Sequence, residues 1–342
     1  MRIGVLTGGG DCPGLNAVIR GVVRAGHTRY GHEFVGIRHG WRGLLECETT
    51  QLDLDVVRGI IAKGGTILGS SRTNPYSHDG GAERAVANMA ILGLDALVAI
   101  GGEDTLGVAN RLHHDFGLQT VGVPKTIDND LSGTDYTFGF WTAVEIVAEA
   151  IDRLTTTAES HDRVLVVEVM GRHAGWIALE SGIAGGADAI LIPELPADPD
   201  RVVEYLRERE RRGQHFAIVV VSEGVQLGEG VGTGAVDEFG HALLAEASVG
   251  DRLARYISSA SGKEARAVVL GHLQRGGSPS AYDRALASRF GIHAARMIDN
   301  GAFGRMAALR GTRIIDIPID EAVGTLKTVP ADLFADAEVF FG

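Results

Sequence analysis

Leu97-Val98-Ala99-Ile100-Gly101-Gly102-Glu103-Asp104-Thr105 and Val121-Gly122-Val123-Pro124-Lys125-Thr126-Ile127-Asp128-Asn129-Asp130 share one layout. In each, an apolar run reads as a buried strand and stops at a polar cluster. Residues 106–116, between them, have helical spacing, so the pair forms a strand–helix–strand unit. Open parallel sheets bind ligands outside the carboxyl ends of their strands. Two neighbouring ends of this kind suit a site that holds a donor, a metal and a proton acceptor together.

The same alternation runs outward along the chain. Further strands are expected at 3–7, 33–38, 164–169, 189–192, 216–221 and 267–270, with the central pair at 96–100 and 119–123. Helices are expected at 15–30, 56–62, 83–92, 138–157, 174–181, 200–212, 243–258 and 281–299. The glycine-rich stretch 224–240 has no periodicity and reads as a surface loop. Strands alternating with helices predict an α/β fold with mainly parallel sheets. A length of 342 residues allows two domains or one large one.

A formal net charge of −12 argues against a nucleic-acid binder and against an anionic-membrane binder. It leaves phosphorylated substrates open, because local arginines override a global field. Two cysteines, Cys12 and Cys47, are too few for a disulfide scaffold or a structural zinc site. The chain enters a strand-like run at Arg2-Ile3-Gly4-Val5-Leu6, so no signal peptide is expected. No apolar run approaches the roughly 20 residues of a membrane helix. A reducing cytoplasm is the expected location.

Several strand ends carry chemistry. Thr7-Gly8-Gly9-Gly10-Asp11-Cys12-Pro13-Gly14 suits a phosphate cradle or a plain strand–helix turn. It is not the dinucleotide fingerprint, which needs glycine where Pro13 stands. Glu103 and Asp104 fit a helix start or a magnesium site completed by substrate phosphates. The 124–130 cluster, with Lys125 beside Thr126, Asp128 and Asp130, exceeds what a turn requires and fits phosphoryl transfer. Arg172, after the strand at 164–169, suits a phosphate, whereas His173 reads as a packing residue. His272 and Arg275 suit a sugar phosphate or a surface turn.

Taken together these motifs resemble the phosphofructokinase family. The resemblance runs from Met1 to about Gly304, through Gly-Gly-Asp-Cys-Pro-Gly (9–14), Gly-Thr-Ile-Leu-Gly-Ser-Ser-Arg (65–72), Pro-Lys-Thr-Ile-Asp-Asn-Asp (124–130), Val-Glu-Val-Met-Gly-Arg-His-Ala-Gly (167–175) and Leu-Gly-His-Leu-Gln-Arg-Gly-Gly-Ser-Pro (270–279). Each motif alone is weak, but five in register are specific. The resemblance implies two Rossmann-like domains, a larger donor- and magnesium-binding one (1–138 plus 252–303) and a smaller sugar-phosphate-binding one (139–251 plus 304–342). It implies phosphoryl transfer to the 1-hydroxyl of fructose 6-phosphate, with Asp128 as the general base. Gly10 and Arg72 would hold donor phosphates and Glu103 would hold Mg²⁺. Thr126, Asp130, Met170, Gly171, Arg172, Glu223, His272 and Arg275 would line the sugar-phosphate site, Arg172 also steadying transition-state charge. Arg163 and Arg266 match residues that reach in from a neighbouring subunit, which implies a homodimer or homotetramer with shared sites.

The chain departs from the ATP-using pattern in three places. ATP-dependent bacterial members usually carry glycine where Asp104 and Lys125 stand, and aspartate where Glu103 stands. Asp104 would crowd and repel a nucleotide's α-phosphate, and Lys125 would supply a cation beside the transferred group. Both changes resemble the diphosphate-dependent, actinobacterial-type branch, so pyrophosphate is the expected donor and ATP the alternative. Arg20 and Arg24 match effector-site arginines, but Thr155 and Gln214 replace two further cations, so weak control by ADP and phosphoenolpyruvate is expected. A non-catalytic sugar-phosphate sensor is a distant alternative, for which a base at Asp128 would be needless.

Overall fold

The computed structural model of the chain describes residues 1–227 and 248–342. Two sheets organise it, and their central strands are apolar runs buried on two faces, as parallel strands covered by helices require.

The first half runs β1 (Arg2–Thr7), α1 (Leu15–Tyr30), β2 (Glu33–Ile37), α2 (Gly40–Glu46), β3 (Thr49–Leu52), α3 (Gly81–Ile91), β4 (Ala96–Gly101), α4 (Glu103–Phe116) and β5 (Thr120–Pro124). After α5 (Phe140–His161) come β6 (Val164–Val169), α6 (Trp176–Ala184), β7 (Ala189–Leu191), α7 (Pro199–Arg211) and β8 (Ala217–Ser222). The chain closes with α8 (Val249–Ser261), β9 (Ala265–Val269), α9 (Ala281–Asp299), β10 (Arg305–Arg310), β11 (Arg313–Pro318) and α10 (Ala331–Glu338). The larger sheet has the order β11-β10-β5-β4-β1-β2-β3, and the smaller, all-parallel sheet has β7-β8-β6-β9. Only the edge strands β3 and β11 of the larger sheet run antiparallel to their neighbours.

The α1 stripe Leu15, Val18, Ile19, Val22 and Val23 is buried, as its spacing predicts. Much of it faces α9, and the two helices approach so closely that only glycine fits at the crossing. A Cβ on Gly21 would lie 2.7 Å from the Ser288 carbonyl, and one on Gly291 would lie 2.4 Å from the Val18 carbonyl.

One sequence expectation changes, and two others fall partly outside the described residues. Residues 56–62 do not form an α-helix. Asp53 Oδ1 accepts from the backbone N–H groups of Asp55 and Val56, and Gly59 turns left-handed at φ 75°, leaving a short 3₁₀ turn at Ile60–Ala62. The helix expected at 243–258 begins at Val249, where Ser248 caps it by accepting from Asp251 N. Its expected start at 243–247 and most of the expected 224–240 loop lie outside the described residues.

The expected domain division also differs from sheet membership. α8 and β9 (Val249–Val269) belong with the smaller sheet, whereas the expected boundary gave 252–303 to the larger unit. β10 and β11 join the larger sheet through parallel pairing of β10 with β5, although 304–342 was expected in the smaller unit. The physical reason is the exposed flank of β5, which β10 covers.

Candidate active site

In the larger sheet β1 lies between β2 and β4, so the connections after β1 and β4 leave on opposite sides and open a crevice. The turn after β1 is fixed from several directions. Gly8 N donates to Ile100 O at 3.0 Å, Gly9 N donates to Ser71 O at 3.0 Å, and Ser70 Oγ donates to Gly9 O. Lys125, at the end of β5, donates from Nζ to Gly10 O at 2.6 Å. Arg275 reaches across from beyond β9 and donates from Nη1 to Asp11 O at 3.2 Å.

These contacts border an open cleft of about 470 Å³ lined by Gly9, Gly10, Asp11, Thr66, Ser70, Ser71, Arg72, His272 and Arg275. The expected donor residues Gly10 and Arg72 thus share one cleft. His272 and Arg275, expected on the sugar-phosphate side, stand on its wall as well. A Cβ at Gly10 would lie 2.6 Å from Arg275 Nη1, so a side chain there would push the guanidinium aside.

The loop expected to carry the base follows β5. Thr126 Oγ1 accepts from Asp128 N at 3.0 Å, and Thr137 Oγ1 donates to Thr126 O at 2.7 Å. Asn129 turns left-handed at φ 52° and accepts at Oδ1 from Thr137 N at 3.1 Å. This brace leaves Asp128 with Oδ1 out of solvent and without a hydrogen-bond partner. Burial raises the Asp128 pKa. Arg275, Lys125 and Arg172 oppose that rise, and Glu223 adds to it. Asp130 is pushed up to about 6, first by burial and then by the charge of Asp128, with Glu103 adding to the push. Lys125 is buried, and burial lowers its pKa while Asp128 and Asp130 oppose the fall.

The opposite wall comes from the smaller sheet. Met170 N donates to Gln274 Oε1 at 3.1 Å, tying the end of β6 to the segment bearing His272 and Arg275. Gly171 takes φ 126° and accepts from Ser222 Oγ at 2.9 Å, and Glu223 N donates to Val169 O at 2.8 Å. Burial raises the Glu223 pKa, with Arg172 and Arg275 opposing. Arg172 and Glu223 also act electrostatically on Asp128, Arg172 lowering and Glu223 raising its pKa.

Glu103 and Asp104 occupy the first turn of α4, whose N-cap is Gly102. They are not capping side chains, but negative charge is favoured at this helix end. Glu103 Oε1 accepts from Gly324 N at 3.0 Å. No group of three or more His, Cys, Asp or Glu side chains among the described residues is arranged to hold a metal. A magnesium ion would therefore depend on one or two carboxylates and on substrate phosphates. Burial is the main cause of the raised Asp130 pKa, and like charge from Asp128 and Glu103 adds to it, a repulsion that a divalent cation would offset.

Arg163 and Arg266 are not brought to this cleft. They lie at the amino ends of β6 and β9, the far side of the smaller sheet from Met170 and Arg275. Both bind Glu264, Arg163 from Nε at 2.8 Å and Arg266 from Nη2 at 2.8 Å. Within one chain they serve no part of the cleft. Sequence reasoning missed Gln274 and the 324–329 segment; Gln274 sits inside a quoted motif, while the segment carries no motif.

The sequence matches the phosphofructokinase family over residues 2–298. It is 59% identical over 345 residues to the pyrophosphate–fructose 6-phosphate 1-phosphotransferase of Streptomyces coelicolor, covering all of both chains. It is 56% identical over 344 residues to ATP-dependent 6-phosphofructokinase 2 of the same organism, again covering all of both. Among solved structures it is similar to the T-state phosphofructokinase of Pichia pastoris, with a TM-score of 0.82 and 32% identity. That match covers 99% of this chain and 36% of that one, so this chain spans about a third of the yeast subunit.

Proposed function

The chain belongs to the phosphofructokinase family of enzymes, and on that premise we propose that it transfers a phosphoryl group reversibly from pyrophosphate to the 1-hydroxyl of fructose 6-phosphate. The observation that carries the reading is the unpartnered, buried Oδ1 of Asp128 in a field set by Arg275, Lys125 and Arg172. A carboxylate there takes the hydroxyl proton as the oxygen attacks. The cations around it counter the charge on the transferring group, which a loose phosphoryl-transfer transition state requires.

Gly10 and Arg72 hold the donor, and Thr126, Asp130, Met170, Gly171, Glu223, His272 and Arg275 bound the acceptor side. Glu103 would hold Mg²⁺ together with the donor, and the ion would supply charge neutralisation on the phosphates. Pyrophosphate is favoured as donor by Asp104 in the first turn of α4 and by the buried Lys125 beside Gly10. Placing Arg163 and Arg266 away from their own cleft supports a homo-oligomer in which they complete a neighbour's site. Cys12 and Cys47 are free thiols, which fits the cytoplasmic location included in this reading.

Initial rates with fructose 6-phosphate, Mg²⁺ and either pyrophosphate or ATP test the proposal. Turnover with pyrophosphate is expected. Turnover with ATP alone would sink the donor assignment, and none with either would sink the enzyme reading in favour of a sensor.

A further inference from the structure

Residues 324–329 lie beyond the stretch that matches the family, yet they are laced to both walls of the cleft. Gly324 N donates to Glu103 Oε1 at 3.0 Å. Ser132 Oγ donates to Thr325 O at 2.7 Å, and Leu326 bridges Leu131. Lys327 N donates to Asp130 O at 2.9 Å. On the other side, Trp176 Nε1 donates to Lys327 O at 2.9 Å, and Val329 N donates to Glu194 Oε1 at 2.9 Å. That carboxylate also accepts from Gly175 N, just before α6 and three residues after Arg172.

Lys327 is the point where the two sides meet. Its ammonium donates to the carbonyls of Thr134 and Asp135, so it pins the loop following Asp130. The same ammonium lies 5.6 Å from the ring centre of Tyr136 and 5.0 Å from that of Trp176. Cation–π attraction of this kind strengthens as the pair is desolvated. One side chain thus grips the segment bearing the acceptor-side carboxylates and the helix start behind Arg172.

We propose that Lys327 is a positioning residue for phosphoryl transfer, holding the Asp128–Asp130 wall and the Arg172 wall of the cleft at the separation the reaction needs. The inference rests on the proposed function. Lys327 acts through the Asp130 backbone, the 134–135 carbonyls and Trp176, and not on the reacting atoms themselves. Its loss therefore weakens alignment in the transition state more than binding in the ground state.

The test compares wild type, Lys327→Met, Lys327→Arg and Trp176→Phe as full chains, with steady-state kinetics, fructose 6-phosphate binding by calorimetry and thermal melting. Lys327→Met is expected to lower kcat about 10-fold to 100-fold, since small misplacements far from the chemistry cost this much. Fructose 6-phosphate affinity should change by less than about threefold. Lys327→Arg, which keeps the cation, should recover most of the kcat. Trp176→Phe keeps a ring but loses the Nε1 donor, so it should fall between, and it carries the test if Lys327→Met does not fold. Unchanged kcat in a folded Lys327→Met, or in Trp176→Phe where that variant stands in, overturns the inference while leaving the function intact. Equal losses in Lys327→Met and Lys327→Arg that track their melting temperatures assign Lys327 to stability alone and also overturn it. A wild type inactive with both donors overturns the functional reading and this inference with it.

Discussion

Lys125 Nζ and the Gly10 carbonyl meet at 2.6 Å across the end of β4, the strand that separates β5 from β1 in the sheet. A buried ammonium is costly unless its donors are used. Here one donor is spent on Gly10, and Asp128 and Asp130 stabilise the charge electrostatically. The lysine thus joins the turn that would cradle the donor to the loop that carries Asp128.

Lys125→Gly should remove both the cation and the tether. We expect kcat/KM with pyrophosphate to fall about 10²–10³-fold, the range for losing one preorganised donor to a developing charge. Pairing it with Asp104→Gly removes the negative charge from the first turn of α4. The double variant should still lose pyrophosphate activity, and ATP turnover should not arise automatically, because no nucleotide contacts are added. Initial rates with each donor check this; undiminished pyrophosphate activity would remove Lys125 from the donor site.

Asp128→Asn should lower kcat by about 10²–10⁴-fold, the usual worth of a positioned base. Fructose 6-phosphate binding should survive and be measurable by calorimetry. The pH profile gives a finer check. Burial raises the Asp128 pKa, so activity should fail on the acid side above the ordinary aspartate range. Glu223 adds to that rise by like charge, so Glu223→Gln should lower the Asp128 pKa and carry the acid limb of kcat/KM to lower pH. A limb that stays put, or moves up, would show that a different group controls it.

Much of the cleft was legible because its residues end strands. The runs 97–105 and 121–130 carry both the apolar signal for β4 and β5 and the polar clusters beyond them. What escaped lacks that coincidence. β10 and β11 form a hairpin around Gly311-Thr312, but the strand Met306-Ala307-Ala308-Leu309 carries two alanines, which have little strand preference. β3, Thr49-Thr50-Gln51-Leu52, is a polar edge strand with one buried residue. Lys327 reads as an ordinary lysine, because its significance depends on Tyr136 and Trp176, which only the fold brings to it. The pairing of β9 was hidden for a related reason: which sheet accepts β9 depends on the free flank of β6, and no local pattern encodes it.

Arg163 and Arg266 face away from the cleft of their own chain and share Glu264. If each completes a neighbour's site, two defects in different chains should complement. Chains carrying Asp128→Asn should be nearly inactive, and so should chains carrying Arg163→Ala with Arg266→Ala. Unfolded and refolded together, the mixture should regain activity, because a mixed oligomer contains a site with an intact base and intact arginines. Refolding each alone gives the baseline. A mixture no better than the sum of its parts would place both arginines outside the reaction.

Asp283 joins the starts of α5 and α9 and is fully buried. Its Oδ2 accepts from Thr142 N at 2.8 Å and from Thr142 Oγ1 at 2.6 Å, while Ser280 N donates back to Thr142 Oγ1 at 3.0 Å. Burial pushes its pKa up to about 6, and the bonds from Thr142 limit the rise. The folded protein therefore holds this proton more tightly than the unfolded chain does. By linkage the stabilisation from proton uptake is present below the unfolded pKa and is lost as pH rises through the folded one. Asp283→Asn cannot titrate. The wild type's advantage over it in unfolding free energy should shrink by roughly 2–3 kcal/mol between about pH 4 and pH 6, at about 1.4 kcal/mol per pKa unit. Urea unfolding of both proteins across that window measures the difference directly, and a constant offset between them would contradict the raised pKa.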